Sequence, residues 1–224
     1  GYRFGLRLDS HAHIVALEGN TLHLKLFGEI VKAYVPGGGT HRALTLAACL
    51  LAAKLLDADL TAAAALSHDL VPAGRGNIRH KAGIEIIDDS YNANPASMHA
   101  AVFAHAAEPC KGRRYAVLGD MRELGADSDE AHRHLLNTVV NEPKLHGIVL
   151  VGAAMGEACR RLGLDSDQTL GGQRWLVHYE SVIPELLSRL VVALSPGDRV
   201  MVKGSNRIFW HVDFVEQLIE HIKT

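Results

Sequence analysis

The sequence has few of the features that mark specialised classes of protein, beginning with cysteine. Among 224 residues there are three cysteines, Cys49, Cys110 and Cys159, which are far apart and form no Cys-x-x-Cys motif. An odd and widely spaced set argues against a disulfide framework and against a zinc knuckle. We therefore expect a protein of the reducing cytoplasm.

An excess of charge of one sign is also lacking. The chain has 23 Lys and Arg against 25 Asp and Glu, a formal net charge of −2, and it has no long basic run. A nucleic-acid partner is therefore not expected. The longest apolar run, 43–56, contains Thr45 and Lys54 and is too short for a membrane span, and 1–10 does not resemble a signal peptide. We expect no membrane insertion, and a monomer.

Fourteen histidines raise the question of a metal site. His11 and His13 are two residues apart, as are His132 and His134, but neither pair has a third ligand at a suitable spacing. We therefore predict no metal site made by these residues.

The first third of the chain predicts short β segments followed by helices. Residues 1–35 contain partly alternating apolar positions and a hairpin turn at 18–20. A buried helix is predicted from His41 to about Leu56, and a second helix from Leu60 to about His68. Residues 71–76 read VPAGRG, a linker composition. We predict a domain boundary there, with one domain at 1–72 and another at 73–224.

The second domain alternates short branched apolar runs with helical stretches, which predicts an α/β fold with a mostly parallel sheet. The predicted strands are 84–87, 115–118, 148–151 and 199–202, and the predicted helices are 95–107, 129–141, 153–162, 181–194 and 209–223. Polar or glycine turns follow each strand. In such sheets ligands bind beyond the carboxyl ends of the strands, which is where these turns lie.

The densest polar segment is 88–95, which reads DDSYNANP between a predicted buried strand and a helix. Adjacent carboxylates are costly unless they bind cations, hydroxyl groups or backbone amides. The segment is equally typical of a helix entry, with Asn94 as the N-cap and Pro95 in the first turn. On spacing alone, a ligand site and a simple helix cap both remain open.

Four stretches together resemble the carboxy-terminal domain of the Mur ligase family. They are VPAGRG at 71–76, DDSYNANPASM at 88–98, VLGDMRELG at 117–125 and VKGS at 202–205. Their order and approximate spacing also agree with that family. The resemblance implies a Rossmann-like carboxy-terminal domain, preceded by a β-hairpin and helical remnant of a central ATP-binding domain.

The resemblance also implies a reaction. Within the family, the resemblance is to the ligases that attach D-alanyl-D-alanine to a UDP-N-acetylmuramoyl-tripeptide. Their reaction uses ATP and Mg²⁺ and passes through an acyl phosphate. On that basis Asp89 and Arg75 would contact the nucleotide, and Tyr91, Asn92 and Asn94, with Asp89, would form the catalytic set. Lys203 and Ser205 would hold the incoming dipeptide.

Several departures from the family pattern limit these expectations, and one is the run IFWH at 208–211, near the predicted dipeptide site, where the family usually has small or polar residues. His41 matches a family position near the adenine, but Arg42 and Thr45 occupy positions where the family usually has asparagines. The chain also contains no Gly-x-x-Gly-Lys phosphate loop and no central metal-binding segment. We therefore expect a fragment that does not turn over ATP, with Mg²⁺ bound by a region outside it.

The departures leave an alternative open, namely a non-catalytic module of the same fold that binds a peptide or protein. A third hypothesis, a folate-type or cyanophycin-type amide ligase, is disfavoured by the string at 90–94. Several candidates also have structural interpretations. Arg75 would be a solvated linker residue, Asp120 a loop cap and His132 a surface helix residue. The segment 203–207 would be a plain turn, and 152–156 a close-packed helix start.

Overall fold

The computed structural model describes residues 1–36, 38–65 and 71–223. They divide into two compact units, Gly1–Pro72 and Ala73–Thr224. The division lies within the proline- and glycine-containing linker at 71–76. Each unit has its own hydrophobic core, and each is considered by itself below.

The first unit is a four-stranded sheet packed against a long helix. Its strands are β1 (Phe4–Gly5), β2 (Ala12–Glu18), β3 (Thr21–Leu26) and β4 (Glu29–Tyr34), in that order, and its helices are α1 (Thr40–Leu55) and α2 (Leu60–Ala64). Alternate residues of β3, Leu22, Leu24 and Leu26, are buried against the apolar side of α1. The predicted extension of α2 to His68 lies outside the described residues.

The second unit alternates strands and helices. Its strands are β5 (Asn77–Lys81), β6 (Ile84–Asp89), β7 (Arg114–Gly119), β8 (Gly147–Val151), β9 (Asp167–Leu170), β10 (Arg174–Tyr179) and β11 (Arg199–Lys203). Its helices are α3 (Pro95–Ala107), α4 (Ser128–Val140), α5 (Ala153–Arg161), α6 (Pro184–Ala193) and α7 (Phe214–His221).

These strands form one seven-stranded sheet in the order β5-β6-β11-β7-β8-β10-β9. The five central strands are parallel, whereas β5 and β9 pair antiparallel at the two edges. The predicted α/β class with a mostly parallel sheet is therefore confirmed. The chain's last strand, β11, lies between β6 and β7, so the ends of these three strands are neighbours.

Helices cover both faces of this sheet, as the apolar strands require. Helices α6 and α7 pack on one face, against residues that include Ile86, Val117 and Val202. Helices α3, α4 and α5 pack on the other face, against residues that include Leu118, Leu150 and Met201. Because side chains alternate along a strand, neighbouring residues belong to opposite faces. This alternation decides the geometry of the candidate site.

Three strands of the second unit are absent from the sequence-based prediction. Strands β5, β9 and β10 have mixed polar and apolar residues, and two of them are edge strands, where half-solvated sequences are usual. No helix within the described ranges is both long enough and apolar enough to cross a bilayer.

Candidate functional site

The two adjacent aspartates at the end of β6 have opposite environments. Asp88 lies on the same face as Ile84 and Ile86 and is 5% exposed, whereas Asp89 lies on the other face and its side chain is 23% exposed. The two-residue period of a strand separates them. They are therefore two sites with different partners, not one carboxylate pair.

Asp88 ties the linker to the sheet. Its Oδ2 accepts a hydrogen bond from the backbone N–H of Gly74 at 2.8 Å, and its Oδ1 accepts one from the Ser90 hydroxyl at 2.5 Å. The N–H groups of Gly76 and Tyr91 donate to the carbonyls of Asp88 and Gly74, at 2.6 and 2.9 Å. A buried carboxylate is stable here because backbone and hydroxyl donors replace its hydration.

Asp89 forms an ion pair with a buried lysine. Lys203 ends the neighbouring strand β11 in register with Asp89, and its ammonium nitrogen lies 2.8 Å from Oδ2 of Asp89. The same ammonium donates to the carbonyl of Asn92 at 3.0 Å, and Lys203 is 3% exposed. Within the described residues, Oδ1 of Asp89 accepts no hydrogen bond, which leaves it able to accept one from a ligand hydroxyl.

Arg75, Tyr91 and Trp210 form a stack on the surface of the same unit. The guanidinium carbon of Arg75 lies 4.3 Å from the centroid of the Tyr91 ring. The Tyr91 and Trp210 rings meet edge to face, with centroids 5.5 Å apart and planes at 80°. The linker arginine is therefore in direct contact with the loop that follows β6.

Asn94 acts as a helix cap. Its Oδ1 accepts from the N–H of Ser97 at 2.9 Å, and the hydroxyl of Ser97 accepts from the N–H of Asn94 at 3.2 Å. This reciprocal capping box, with Pro95 as the first helical residue, is the structural interpretation of the segment. Asn92 is exposed, and its Oδ1 accepts from the N–H of Ala93 at 2.9 Å.

Ser205 is buried at 4% exposure, and its hydroxyl has no hydrogen-bond partner among the described residues. Its backbone N–H donates to the carbonyl of Asp120 at 3.1 Å, and its carbonyl accepts from Ile208 at 2.9 Å. The backbone thus fixes the turn after β11. Ser205 is two residues from Lys203 in sequence, and its hydroxyl is likewise buried.

At the end of β7, Asp120 caps a helix that follows a different strand. Its two carboxylate oxygens accept from the N–H groups of Met155 and Ala154 in the first turn of α5, at 2.9 and 3.2 Å. These are amides that a bound phosphate would use, so the segment 152–156 is a packed helix start and not a dinucleotide loop. The structural interpretation of Asp120 is thereby confirmed.

The prediction that His132 lies on the surface is wrong. His132 is fully buried in α4, where its Nε2 accepts from the N–H of Met121 at 2.9 Å. Its Nδ1 lies 2.7 Å from the Ser128 carbonyl, so Nδ1 carries the proton and donates it. The ring therefore holds the loop after β7 against α4. The surrounding sequence, SDEAHRH, is mostly polar, which is why a surface position was predicted for His132.

His41 lies in the first unit, at the second residue of α1, and is exposed. The two neighbours that replace the family asparagines bond locally. The hydroxyl of Thr45 donates to the carbonyl of His41 at 3.1 Å, and a guanidinium nitrogen of Arg42 donates to the carbonyl of Pro36 at 3.4 Å.

The structure thus brings together Asp89, Asn92 and Lys203 in one contact network and Arg75 with Tyr91 in another, both in the second unit. Sequence reasoning noted that Trp210 departs from the family pattern but gave it no role. A tryptophan in a polar turn just after VKGS is a signal that points to it. It also missed the anchoring role of Asp88, which the strand period predicts once Ile84 and Ile86 are assigned inward. The described residues contain no group of three or more His, Cys, Asp or Glu able to hold a metal ion.

The region that contains the candidate site is also the region that matches a known protein family. Residues 74–206 match the family model described as "Mur ligase, glutamate ligase domain". A UDP-N-acetylmuramoyl-tripeptide--D-alanyl-D-alanine ligase from Mycobacterium tuberculosis is 34% identical over 180 residues, which cover 70% of this chain and 32% of the relative. A relative of the same name from Escherichia coli is 32% identical, over 66% of this chain and 33% of its own length. The chain thus spans about a third of each.

Solved structures show the same fold. A MurF ligase from Thermotoga maritima in complex with ADP has a TM-score of 0.73 at 22% identity, covering 96% of this chain and 47% of that one. MurF from Acinetobacter baumannii has a TM-score of 0.78 at 24% identity, covering 96% of this chain and 46% of that one.

Proposed function

Because the chain belongs to the Mur ligase family through its glutamate ligase domain, we propose that its parent protein forms an amide bond in a peptidoglycan precursor, driven by ATP. The proposed substrates are UDP-N-acetylmuramoyl-tripeptide and D-alanyl-D-alanine, the substrates in the names of the relatives. The observation that carries this proposal is the loop at 88–95. It lies at the carboxyl edge of the sheet, where a buried lysine holds Asp89 in place.

The nucleotide is assigned to Arg75 and Asp89. Arg75 is an exposed cation suited to a phosphate oxygen, and the unoccupied Oδ1 of Asp89 is an acceptor suited to a ribose hydroxyl. His41 keeps its proposed place near the adenine. A structure of the same fold, the MurF ligase from Thermotoga maritima, was solved in complex with ADP, which supports the use of an adenine nucleotide by the parent protein but does not test these residues.

Tyr91 and Asn92 are proposed to line the point where the activated carboxylate meets the amine. Both are exposed and lie directly beyond Asp89. Asn94 is proposed to contribute through its cap, which fixes the end of this loop at the start of α3. Positioning of this kind is the main contribution of a protein to phosphoryl and acyl transfer.

Direct contact of Lys203 and Ser205 with the dipeptide stays a prediction. Their exposures of 3% and 4% support a second role, in which they shape the site from beneath. Lys203 suits that role because its ammonium joins the side chain of Asp89 to the backbone of Asn92. We assign no Mg²⁺ ligand to the described residues, since they offer no cluster that fits one.

The test is a ligase assay of the complete product of the gene, with the 224-residue chain assayed in parallel. We expect ADP release by the complete product to require both D-alanyl-D-alanine and the UDP-linked tripeptide, and the chain alone to be inactive. Arg75→Ala is expected to lower kcat/KM for ATP about 10-fold or more, because a charge-assisted contact is lost. Arg79→Gln, at an exposed ion pair with Glu216, is the matched control.

Two outcomes would contradict the proposal. ADP release that does not depend on the dipeptide would exclude these substrates. Binding of the tripeptide without turnover by the complete product would favour the alternative, a non-catalytic peptide-binding module.

A further inference from the structure

Trp210 lies on the surface of the second unit, directly against the linker residue Gly74. It begins a short 3₁₀ turn, Trp210–Val212, and is 37% exposed. Its neighbour Phe209 is fully buried against Phe214, with ring centroids 5.1 Å apart, and this contact fixes the backbone from which the indole projects. The indole therefore projects from a turn that the buried Phe209 anchors, while the indole itself stays partly exposed.

Beneath the indole lies the backbone of Gly74. A Cβ at Gly74 would lie 2.7 Å from two atoms of the Trp210 ring and 2.9 Å from the Cβ of Tyr91, and its φ is +73°. Only glycine fits both the space and the dihedral angle. The linker residue next to Arg75 is thus held in place by aromatic contact from Trp210 as well as by its hydrogen bonds to Asp88 and Tyr91.

Above the same ring lies Tyr91, and beyond Tyr91 lies Arg75. The edge-to-face contact between Trp210 and Tyr91 fixes the plane of the tyrosine ring, and the Arg75 guanidinium lies over that ring. A π face orients a guanidinium without adding an opposite charge. Trp210 therefore contacts both supports of Arg75, its ring partner and its backbone neighbour.

We propose that Trp210 is a positioning residue for the nucleotide: acting through Tyr91 and Gly74, it holds the Arg75 guanidinium in the orientation that receives a phosphate group. The inference rests on the proposed function. It extends that function to a side chain to which neither the sequence motifs nor the family resemblance gave a role.

The kinetic test uses the complete gene product. Trp210→Ala is expected to raise KM for ATP about 2- to 10-fold, the effect of one aromatic contact, with kcat changed less than about 2-fold. Trp210→Phe, which retains an aromatic edge, is expected to restore most of the affinity. Phe103→Ala removes an aromatic side chain that is 55% exposed elsewhere in the domain and serves as the matched control.

A purely structural role predicts a different pattern. Trp210→Ala would then lower the melting temperature and the yield of active protein, with KM for ATP unchanged, and that result would overturn the inference. An equal rise in KM for ATP and for the dipeptide would overturn it as well. An inactive parent protein would count against the proposed function instead.

A second measurement does not depend on activity. The chain has two tryptophans, so Trp175→Phe leaves Trp210 as its only indole fluorophore. In that background we expect Arg75→Ala to change the emission of Trp210 when Tyr91 is present, and to leave it unchanged in a Tyr91→Ala variant. If Arg75→Ala leaves the emission of Trp210 unchanged both with Tyr91 and with Tyr91→Ala, the stack does not couple Arg75 to Trp210.

Discussion

The ammonium nitrogen of Lys203 lies 2.8 Å from Oδ2 of Asp89, across two neighbouring parallel strands that are 114 residues apart in sequence. The two partners differ in burial, since the side chain of Lys203 is 4% exposed and that of Asp89 is 23% exposed. Removal of Asp89 therefore leaves a buried positive charge, whereas removal of Lys203 leaves a negative charge that is partly exposed. This asymmetry makes the pair testable.

Substitutions at this pair are expected to have unequal costs. Asp89→Asn leaves a buried ammonium group without its counter-ion and should lower the free energy of unfolding by about 3–5 kcal/mol. Lys203→Met leaves a carboxylate that water reaches, and should cost about 1–3 kcal/mol. Urea unfolding of both variants and of the double variant measures these values.

The double variant should cost less than the sum of the single variants, because neither charge remains unpaired. Glu216→Gln at the exposed pair with Arg79 is the control, and we expect a change below about 1 kcal/mol there. Equal costs for Asp89→Asn and Lys203→Met would show that burial does not control the energy of this pair.

Asp88 should control the order of the linker. Asp88→Asn weakens the acceptor of the Gly74 N–H bond, so the peptide bond after Arg75 should become more sensitive to trypsin. Limited proteolysis followed by mass spectrometry measures the cleavage rate, with cleavage after exposed Arg122 as an internal reference. The Gly74–Asp88 hydrogen bond should stabilise the ordered linker against local unfolding by about 1.5 kcal/mol. We therefore expect the ratio of the cleavage rate after Arg75 to that after Arg122 to rise about 10-fold or more. An unchanged ratio would contradict the anchoring role.

Asp120 should stabilise the second unit through α5. Asp120→Ala removes the acceptor of two first-turn N–H groups and a negative charge at the helix N-terminus, and should cost about 1–2 kcal/mol. Asp127→Ala is a suitable comparison, because Asp127 precedes α4 without a side-chain capping bond. Thermal unfolding should separate the two variants by several degrees. Similar melting temperatures would argue against the cap.

His105 should make the protein less stable in acid. Burial lowers the pKa of His105 from 6.5 to about 3, and nearby Arg199 acts in the same direction. The unfolded chain therefore binds a proton below pH 6.5 that the folded chain does not bind until about pH 3. The neutral ring's contribution to stability is fully present above pH 6.5 and is lost progressively as the pH falls.

The expected loss from this one residue is about 2 kcal/mol between pH 7 and pH 5. Urea unfolding at the two pH values measures it, and His105→Gln should reduce the difference by that amount. His80→Gln, at an exposed histidine of β5, is the control. An unaltered pH dependence in His105→Gln would mean that the buried ring is not the group responsible.

The thiols of Cys49 and Cys159 should react with an alkylating reagent at very different rates. Cys49 is exposed, whereas Cys159 is 3% exposed and burial raises its pKa to about 11. Since the thiolate is the reactive form, iodoacetamide at pH 8 should label Cys49 within minutes and leave Cys159 unlabelled in the folded protein. Peptide mass spectrometry with and without urea distinguishes them. Equal labelling without urea would indicate that α5 opens readily.

The sequence by itself determined the class of the fold and predicted where the candidate site lies. Branched apolar runs alternating with helical stretches set the parallel sheet, because such runs are stable only when both faces are covered. The helix α3 was predicted with its observed limits, since Asn94 and Pro95 are local start signals. Local signals of this kind act within a few residues and are readable without knowledge of distant partners.

Only the tertiary structure decided which polar residues meet. It paired Lys203 with Asp89, capped α5 with Asp120, buried His132, and placed Trp210 over Gly74 beside Tyr91. Apart from that of His132, these contacts join segments that are far apart in the chain. Their partners are set by strand order, in which the last strand enters between the second and third. Strand order follows from the packing of the whole sheet, and no local sequence pattern encodes it.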